Sequence, residues 1–205
     1  MRSIVPPELE LDLWGGEAFI GLVPFEMEQI RPSWLPGPFA MDFLETNLRT
    51  YVHYKGEPGV YFFSLEASSR LAVQAARWGW GLPYHYASMN SSAAGGGTHY
   101  TSVRSSDARA RLDVRYHLAE VMGASPAGSF EHFLLERYYL FSTRRGRVSK
   151  GHVHHAPYPA QRAEVESIDE GLIGAMGLAK RSEQPAFVHF ASGVDVEVFG
   201  PWSLD

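Results

Sequence analysis

The chain has 205 residues, enough for one well-buried core, and its 45% hydrophobic and 13% aromatic content is that of a soluble globular protein. Its 23 acidic against 18 basic residues leave a formal net charge of -5, which removes any overall electrostatic bias towards nucleic acid or anionic lipid. Cysteine is absent, excluding disulfides, thiolate metal sites and a cysteine nucleophile, and neither an apolar span nor a signal-like start is present, so a cytoplasmic location with no membrane association is expected.

Period-two alternation rich in β-branched and aromatic residues, broken by Gly, Pro and Ser, predicts strands over 18–30, 48–54 and 60–66. The last two read as a hairpin across Lys55-Gly56-Glu57-Pro58. Ser68 or Ser69 caps a helix whose Leu71, Ala72, Ala75, Ala76 and Trp78 share an apolar face, ended by Gly79, Gly81 and Pro83. Strands over 84–89, 98–104 and 111–118 read as a meander with Leu112, Val114, Tyr116 and Leu118 inward, and 90–97 reads as a mobile loop.

Ser129 caps a short helix through Leu135, and strands over 137–141 and 147–154 form a hairpin around Arg145-Gly146. A helix over 169–176, stopped by Gly177, precedes strands over 186–190 and 194–199 that turn about Ser192-Gly193. No repeat or linker divides the chain. The expectation is one β-rich, mixed α+β domain over 1–205: an antiparallel sheet, curved or closed, with two or three peripheral helices.

Several residues carry candidate chemistry. Arg49 lies mid-strand with Asn47, Tyr51 and His53 on its face, where a guanidinium clamps a ligand carboxylate or pairs with Glu45 or Glu66; Arg137 and Tyr138 have the same two readings. His152 and His154 stand at i and i+2 on one strand and can converge on an ion. They supply two ligands, with His189 a third only if strands meet, so hydrogen-bonded histidines are the expectation and no metal or cofactor is expected. Arg144, Arg145, Arg147 and Lys150 form a basic run that reads as a solvated hairpin tip, and Gly95-Gly96-Gly97 lacks the Lys-Ser/Thr of a phosphate loop.

As strings, Gly21-Leu22-Val23-Pro24-Phe25, Asn47-Leu48-Arg49-Thr50-Tyr51-Val52, Gly59-Val60-Tyr61-Phe62-Phe63-Ser64-Leu65, Gly81-Leu82-Pro83-Tyr84, Glu136-Arg137-Tyr138, Gly151-His152-Val153-His154-His155 and Ser192-Gly193-Val194-Asp195-Val196-Glu197-Val198 resemble the YqjF-like family of uncharacterised bacterial proteins. That family is similar to acetoacetate decarboxylase, with Val5-Pro6-Pro7-Glu8-Leu9-Glu10-Leu11-Asp12 matching its opening. The resemblance implies a decarboxylase-like β-barrel with a central pocket. It implies that Glu45 occupies a site-glutamate position and that the reactive lysine pair falls on Tyr84 and His85. A further site acid falls near Ile20, and the site arginine lies upstream of this chain, which begins after the strand and helix that family members carry.

Schiff-base catalysis needs a buried amine of lowered pKa. Lys55, Lys150 and Lys180 sit in a turn, beside a basic hairpin and at a helix end, where none meets that need. His85 and Tyr84 instead offer acid/base chemistry, although adjacent strand residues point to opposite faces and the favoured reading of each is a half-buried strand residue making one hydrogen bond. Glu45 is either a pocket carboxylate of raised pKa or a solvated strand-end residue. The expectation is a site for a small, anionic organic molecule, with lyase-type or hydrolase-type acid/base chemistry or with non-catalytic binding, and no nucleic-acid partner.

Overall fold

Lys55 and Gly56 both take positive φ, 50° and 83°, as a two-residue hairpin turn of the twist-matched kind requires. The turn is therefore shorter than the four residues expected, and Glu57 already pairs with Tyr54. Gly95 and Gly96, at 58° and 83°, build a second such turn. The structure, a computed structural model, describes residues 1–32, 34–144, 146–179 and 184–204, so Arg145 and Lys180 lie outside the described residues.

Among the described residues, twelve strands and three short α-helices follow in the order β1 (Glu10–Leu11), β2 (Ile20–Ile30), β3 (Met41–Tyr54), β4 (Glu57–Ala67), α1 (Arg70–Trp80), β5 (Tyr84–Ala94), β6 (Gly97–Arg104), β7 (Arg111–Gly123), α2 (Phe130–Leu135), β8 (Tyr139–Arg144), β9 (Arg147–His155), β10 (Ala160–Glu170), α3 (Leu172–Ala175), β11 (His189–Ala191) and β12 (Val196–Ser203). β4 is the branch point. It pairs antiparallel with β3 along its length, and in parallel with β5 at one end and β8 at the other.

From β4 one arm runs through β5, β6, β7 and β10 to β11, a second through β8 and β9 to β12, and a third through β3 to β1 and β2. The expected closure into a barrel is not realised: no pairing among the described residues joins the ends of these arms. A sheet that forks at β4 and diverges from it has no single last strand to return to its first. Burial is instead divided between two clusters. Leu48, Val52, Phe63, Leu112, Val114, Phe141 and Val148 pack between the arms, while Phe43, Tyr51, Phe62, Ala72, Val73, Tyr84 and Phe133 pack beneath α1 and α2.

Ser69 caps α1, accepting from the Ala72 amide at 3.3 Å, and Gly81 ends it in the left-handed region at φ 67°. Its buried stripe is Ala72, Val73, Ala76 and Trp80, whereas Leu71 and Trp78 are exposed, at 74% and 89%. The expected face was thus rotated, because two apolar sets share this helix and only the sheet's position selects between them. Ser129 likewise caps α2, accepting from the His132 amide at 3.1 Å.

Four other expectations are corrected. Residues 90–94 are strand, an extension of β5 held by its ladder to β6 although its small side chains, Asn90-Ser91-Ser92-Ala93-Ala94, carry no apolar alternation. β10 was not anticipated, because bulges at Gln161/Ala163 and Val165/Ser167 interrupt its period of two, and it absorbs Asp169 and Glu170 from the expected last helix. The strands around Ser192-Gly193 form no hairpin: β11 joins β10 and β12 joins β9. Leu118 is 46% exposed where the meander outruns the core.

Gly59 shows how tightly β8 is seated on β4. A Cβ there would lie 2.5 Å from the Tyr139 carbonyl oxygen and 2.7 Å from the fully buried Phe141 ring. Gly59→Ala is expected to lower the urea midpoint at unchanged slope, by about 1–3 kcal/mol of stability, because backbone must move to admit the methyl group. Among the described residues no helix is long and apolar enough to cross a membrane.

Candidate functional site

Strand alternation sends odd-numbered residues of β3 towards α1 and α2 and even-numbered ones towards the other cluster, as Phe43 and Tyr51 against Leu48 and Val52 demonstrate. Glu45, Asn47, Arg49 and Tyr51 therefore form a row beneath the helices, with successive members about 6.6 Å apart along the strand. Glu45 is 2% exposed, and the Tyr84 hydroxyl donates to its Oε2 at 2.9 Å. Burial pushes the Glu45 carboxyl up to about 8, against a hydrogen bond from Tyr84 that favours the anion, with a further upward push from Glu66 and a lesser opposing bond from Asn47. At neutral pH this carboxyl holds its proton. Burial and the same carboxyl raise the Tyr84 phenol well above its ordinary range, so it too stays protonated.

Two atoms further along the row are buried without partners: Asn47 Oδ1, an acceptor, and Arg49 Nε, a donor. The guanidinium of Arg49 reaches the Leu134 carbonyl through Nη2 at 3.3 Å and lies 5.8 Å from the Tyr51 ring centre. It pairs with neither Glu45 nor Glu66. Arg137 lies against the same ring, at 5.3 Å, and over Phe133 at 4.3 Å. Its Nη1 meets Asp12 at 2.6 Å and its Nε donates to the Phe133 carbonyl at 2.6 Å, so its charge is already answered. Tyr138 donates to Glu136 at 2.7 Å and stacks on His155. Burial and that hydrogen bond push its phenol up to about 12.

His85 parts from Tyr84. It lines a half-open cleft with Arg70, Arg77, Tyr86, Ser105 and Ser106, while Tyr84 is turned into the core against Glu45. Half-burial, followed by the charges of Arg104 and Arg77, pushes the imidazole down to about 4, so it is neutral across the physiological range. Glu45, Tyr84 and Arg49 thus share one face and His85 does not share it. His152 and His154 have ring centres 6.5 Å apart, with His152 tilted against Tyr139 and Phe199. Among the described residues no third carboxylate or imidazole joins them.

A second buried charge system escaped sequence reasoning. Glu66 is fully buried and Arg104 7% exposed, and Arg104 donates through Nε and Nη2 to Glu66 Oε1 at 3.1 and 2.5 Å. Glu66 alternates with Leu65 and Ala67, which face the helices, so this pair lies across the sheet from Glu45. Burial raises the Glu66 carboxyl although Arg104 pulls it down. On the same side of the sheet as this pair, the Tyr100 hydroxyl donates to the Glu45 carbonyl at 2.8 Å and lies 3.1 Å from the Thr46 hydroxyl. No local motif marks Arg104, because β6 and β4 are neighbours only in space.

A model of the DUF2071 family, described as an uncharacterized conserved protein, matches residues 1–195. The chain belongs to this family. Among its relatives, the uncharacterized protein YqjF of Bacillus subtilis (strain 168) is 40% identical over 207 residues, covering 99% of this DUF2071 chain and 85% of YqjF. Acetoacetate decarboxylase from Legionella pneumophila superposes with a TM-score of 0.60 at 16% identity, over 98% of this chain and 77% of that one. The enduracididine biosynthesis enzyme MppR, solved with pyruvate, gives 0.61 at 16% identity, over 95% and 82%. An acetoacetate decarboxylase-like enzyme from Sphingomonas wittichii RW1 gives 0.56 at 13% identity, over 100% and 85%. The DUF2071 chain therefore has the acetoacetate decarboxylase-like fold. Where the resemblance set a lysine pair, it carries Tyr84 bonded to Glu45 and His85 outside.

Proposed function

We propose that the row on β3 binds a small organic acid, with Arg49 taking the carboxylate and the Tyr84–Glu45 pair facing its oxo or hydroxy group. The observation that carries this reading is the buried, unpartnered Arg49 Nε together with the unpartnered Asn47 Oδ1 of the preceding member of the row, since each orphan costs about 1–3 kcal/mol until a ligand satisfies it. A planar carboxylate suits a guanidinium edge, and a hydroxyl suits the Asn47 oxygen. The MppR–pyruvate complex supports an oxo acid as the class to try first. Glu45, protonated and bonded to a phenol, is equipped to donate to a developing oxyanion or to exchange a proton, which is lyase-type acid/base chemistry without a covalent imine. His85 has no part in this site.

The test is thermal stabilisation by pyruvate, acetoacetate and lactate. Saturating ligand at about a hundred times its Kd adds about 2.7 kcal/mol to stability, and Arg49→Met should abolish the shift. Absence of stabilisation by every acid would overturn the proposal. Borohydride reduction with acetoacetate is expected to leave the protein mass unchanged, and an adduct on Lys55 or Lys150 would restore Schiff-base chemistry.

Aromatic packing around Arg137 favours a second reading, non-catalytic binding or interaction. Tyr51 and Phe133 lie 5.0 Å apart, Phe19 and Phe130 5.1 Å, and Phe130 stacks on Phe133 at 6.2 Å. Ligand stabilisation that persists in Tyr84→Phe, with no turnover by the parent chain, would select it.

A further inference from the structure

α1 carries Arg70 and Arg77, with no acidic residue between Ser68 and Gly81. Together with the start of β5 and the turn between β6 and β7 it borders a half-open cleft of about 240 Å³, whose lining includes Arg70, Arg77, His85, Tyr86, Ser105 and Ser106 and no carboxylate. Both cations are held in place. The Arg77 Nε donates to the Tyr84 carbonyl at 2.6 Å, and the Arg70 guanidinium lies 4.3 Å from the Tyr86 ring centre. Nearby acids are already answered: Glu66 by Arg104, and Asp107 by a two-bond contact with Arg109 at 3.0 Å each. In a chain of net charge -5, this cleft is a local positive centre with hydroxyls beside it.

We propose that the cleft binds the phosphate group of a small phosphorylated molecule, with Arg70 and Arg77 supplying charge and Ser105 and Ser106 supplying hydroxyl donors. Two guanidiniums and two hydroxyls offer more donors than the two oxygens of a carboxylate accept, and they match the charge and three terminal oxygens of a phosphate monoester. A ligand spanning 240 Å³ exceeds a bare phosphate, and its organic part would lie along Tyr86. His85 reports occupancy. Burial, followed by the charges of Arg104 and Arg77, disfavours its protonation, and a dianion beside it opposes the arginine charges.

The experiment titrates the full chain with phenyl phosphate, inorganic phosphate and acetate by calorimetry, and follows the His85 ring by NMR across pH. Saturable phenyl phosphate binding at a millimolar Kd or tighter is expected. Loss of about tenfold affinity or more is expected in Arg70→Gln and Arg77→Gln, since each removes a charged donor. Ser106→Ala, which leaves the bond from Arg77 to the Tyr84 carbonyl in place, should weaken binding on its own account. Arg49→Met and Arg144→Gln should leave it unchanged, which separates this site from the interior row. Bound phosphate should move the His85 titration upward. Failure to saturate, equal affinity for acetate, unchanged binding in both arginine variants, or an unmoved His85 would each overturn the assignment.

Discussion

Glu45→Gln is expected to melt higher than the parent chain at pH 8 and at nearly the same temperature near pH 4. The Glu45 carboxyl titrates at about 8 in the folded chain against 4.5 when unfolded, because burial penalises the anion. Below pH 4.5 both states hold the proton and no penalty arises. Between 4.5 and about 8 only the folded state holds it, so folding takes up a proton and stability falls as pH rises. Above 8 the full penalty remains. A shift of this size corresponds to about 3–5 kcal/mol, and at roughly 2–4 °C per kcal/mol the two proteins separate by about 10 °C. Gln keeps the shape and an acceptor for the Tyr84 hydroxyl while removing the titration. Calorimetric melts from pH 4 to 9 test this; a difference that stays flat with pH would mean that Glu45 does not hold a proton in the fold.

Arg104→Met should destabilise the chain by about 3–5 kcal/mol, because it strands the fully buried Glu66 without its cation. The loss should grow with pH, since the unpaired carboxyl then titrates still higher and ionises at greater cost. Adding Glu66→Leu to Arg104→Met should recover most of the loss, as apolar residues of similar volume replace such pairs at little cost. Urea denaturation of the two single variants and the double variant gives the coupling. Additive losses would show that the pair does not act as a unit.

Much of the site's position was legible in the alternation of β3, because an uninterrupted strand fixes which side chains share a face. Asn47, Arg49 and Tyr51 could be grouped from spacing alone, whereas Glu45 lay before the expected strand over 48–54 and joins the row only because β3 begins at Met41. Their partners could not. Tyr84 reaches Glu45 only because β5 adds in parallel beside the end of β4, and the same geometry sends His85 into a different cleft. Arg49 was expected to find a carboxylate, but its guanidinium bonds instead to a carbonyl brought by α2 from 85 residues away. Bulges concealed β10, and two competing apolar sets on α1 left its buried side undecided until the sheet was in place.

What the sequence by itself determined was local: the turns at Lys55-Gly56 and around Gly95-Gly96, the caps at Ser69 and Ser129, the strand periodicity and the lack of a buried-lysine pattern. These depend on φ preference, short-range hydrogen bonding and side-chain alternation, each settled within a few residues. The tertiary structure alone decided that the sheet forks at β4 rather than closing, that β11 and β12 end on different arms, and that Glu45 is buried beside a phenol while Glu66 is buried beside a guanidinium. Those outcomes depend on which distant strands exclude water from one another, and desolvation is a property of the assembled layers, not of any segment within them.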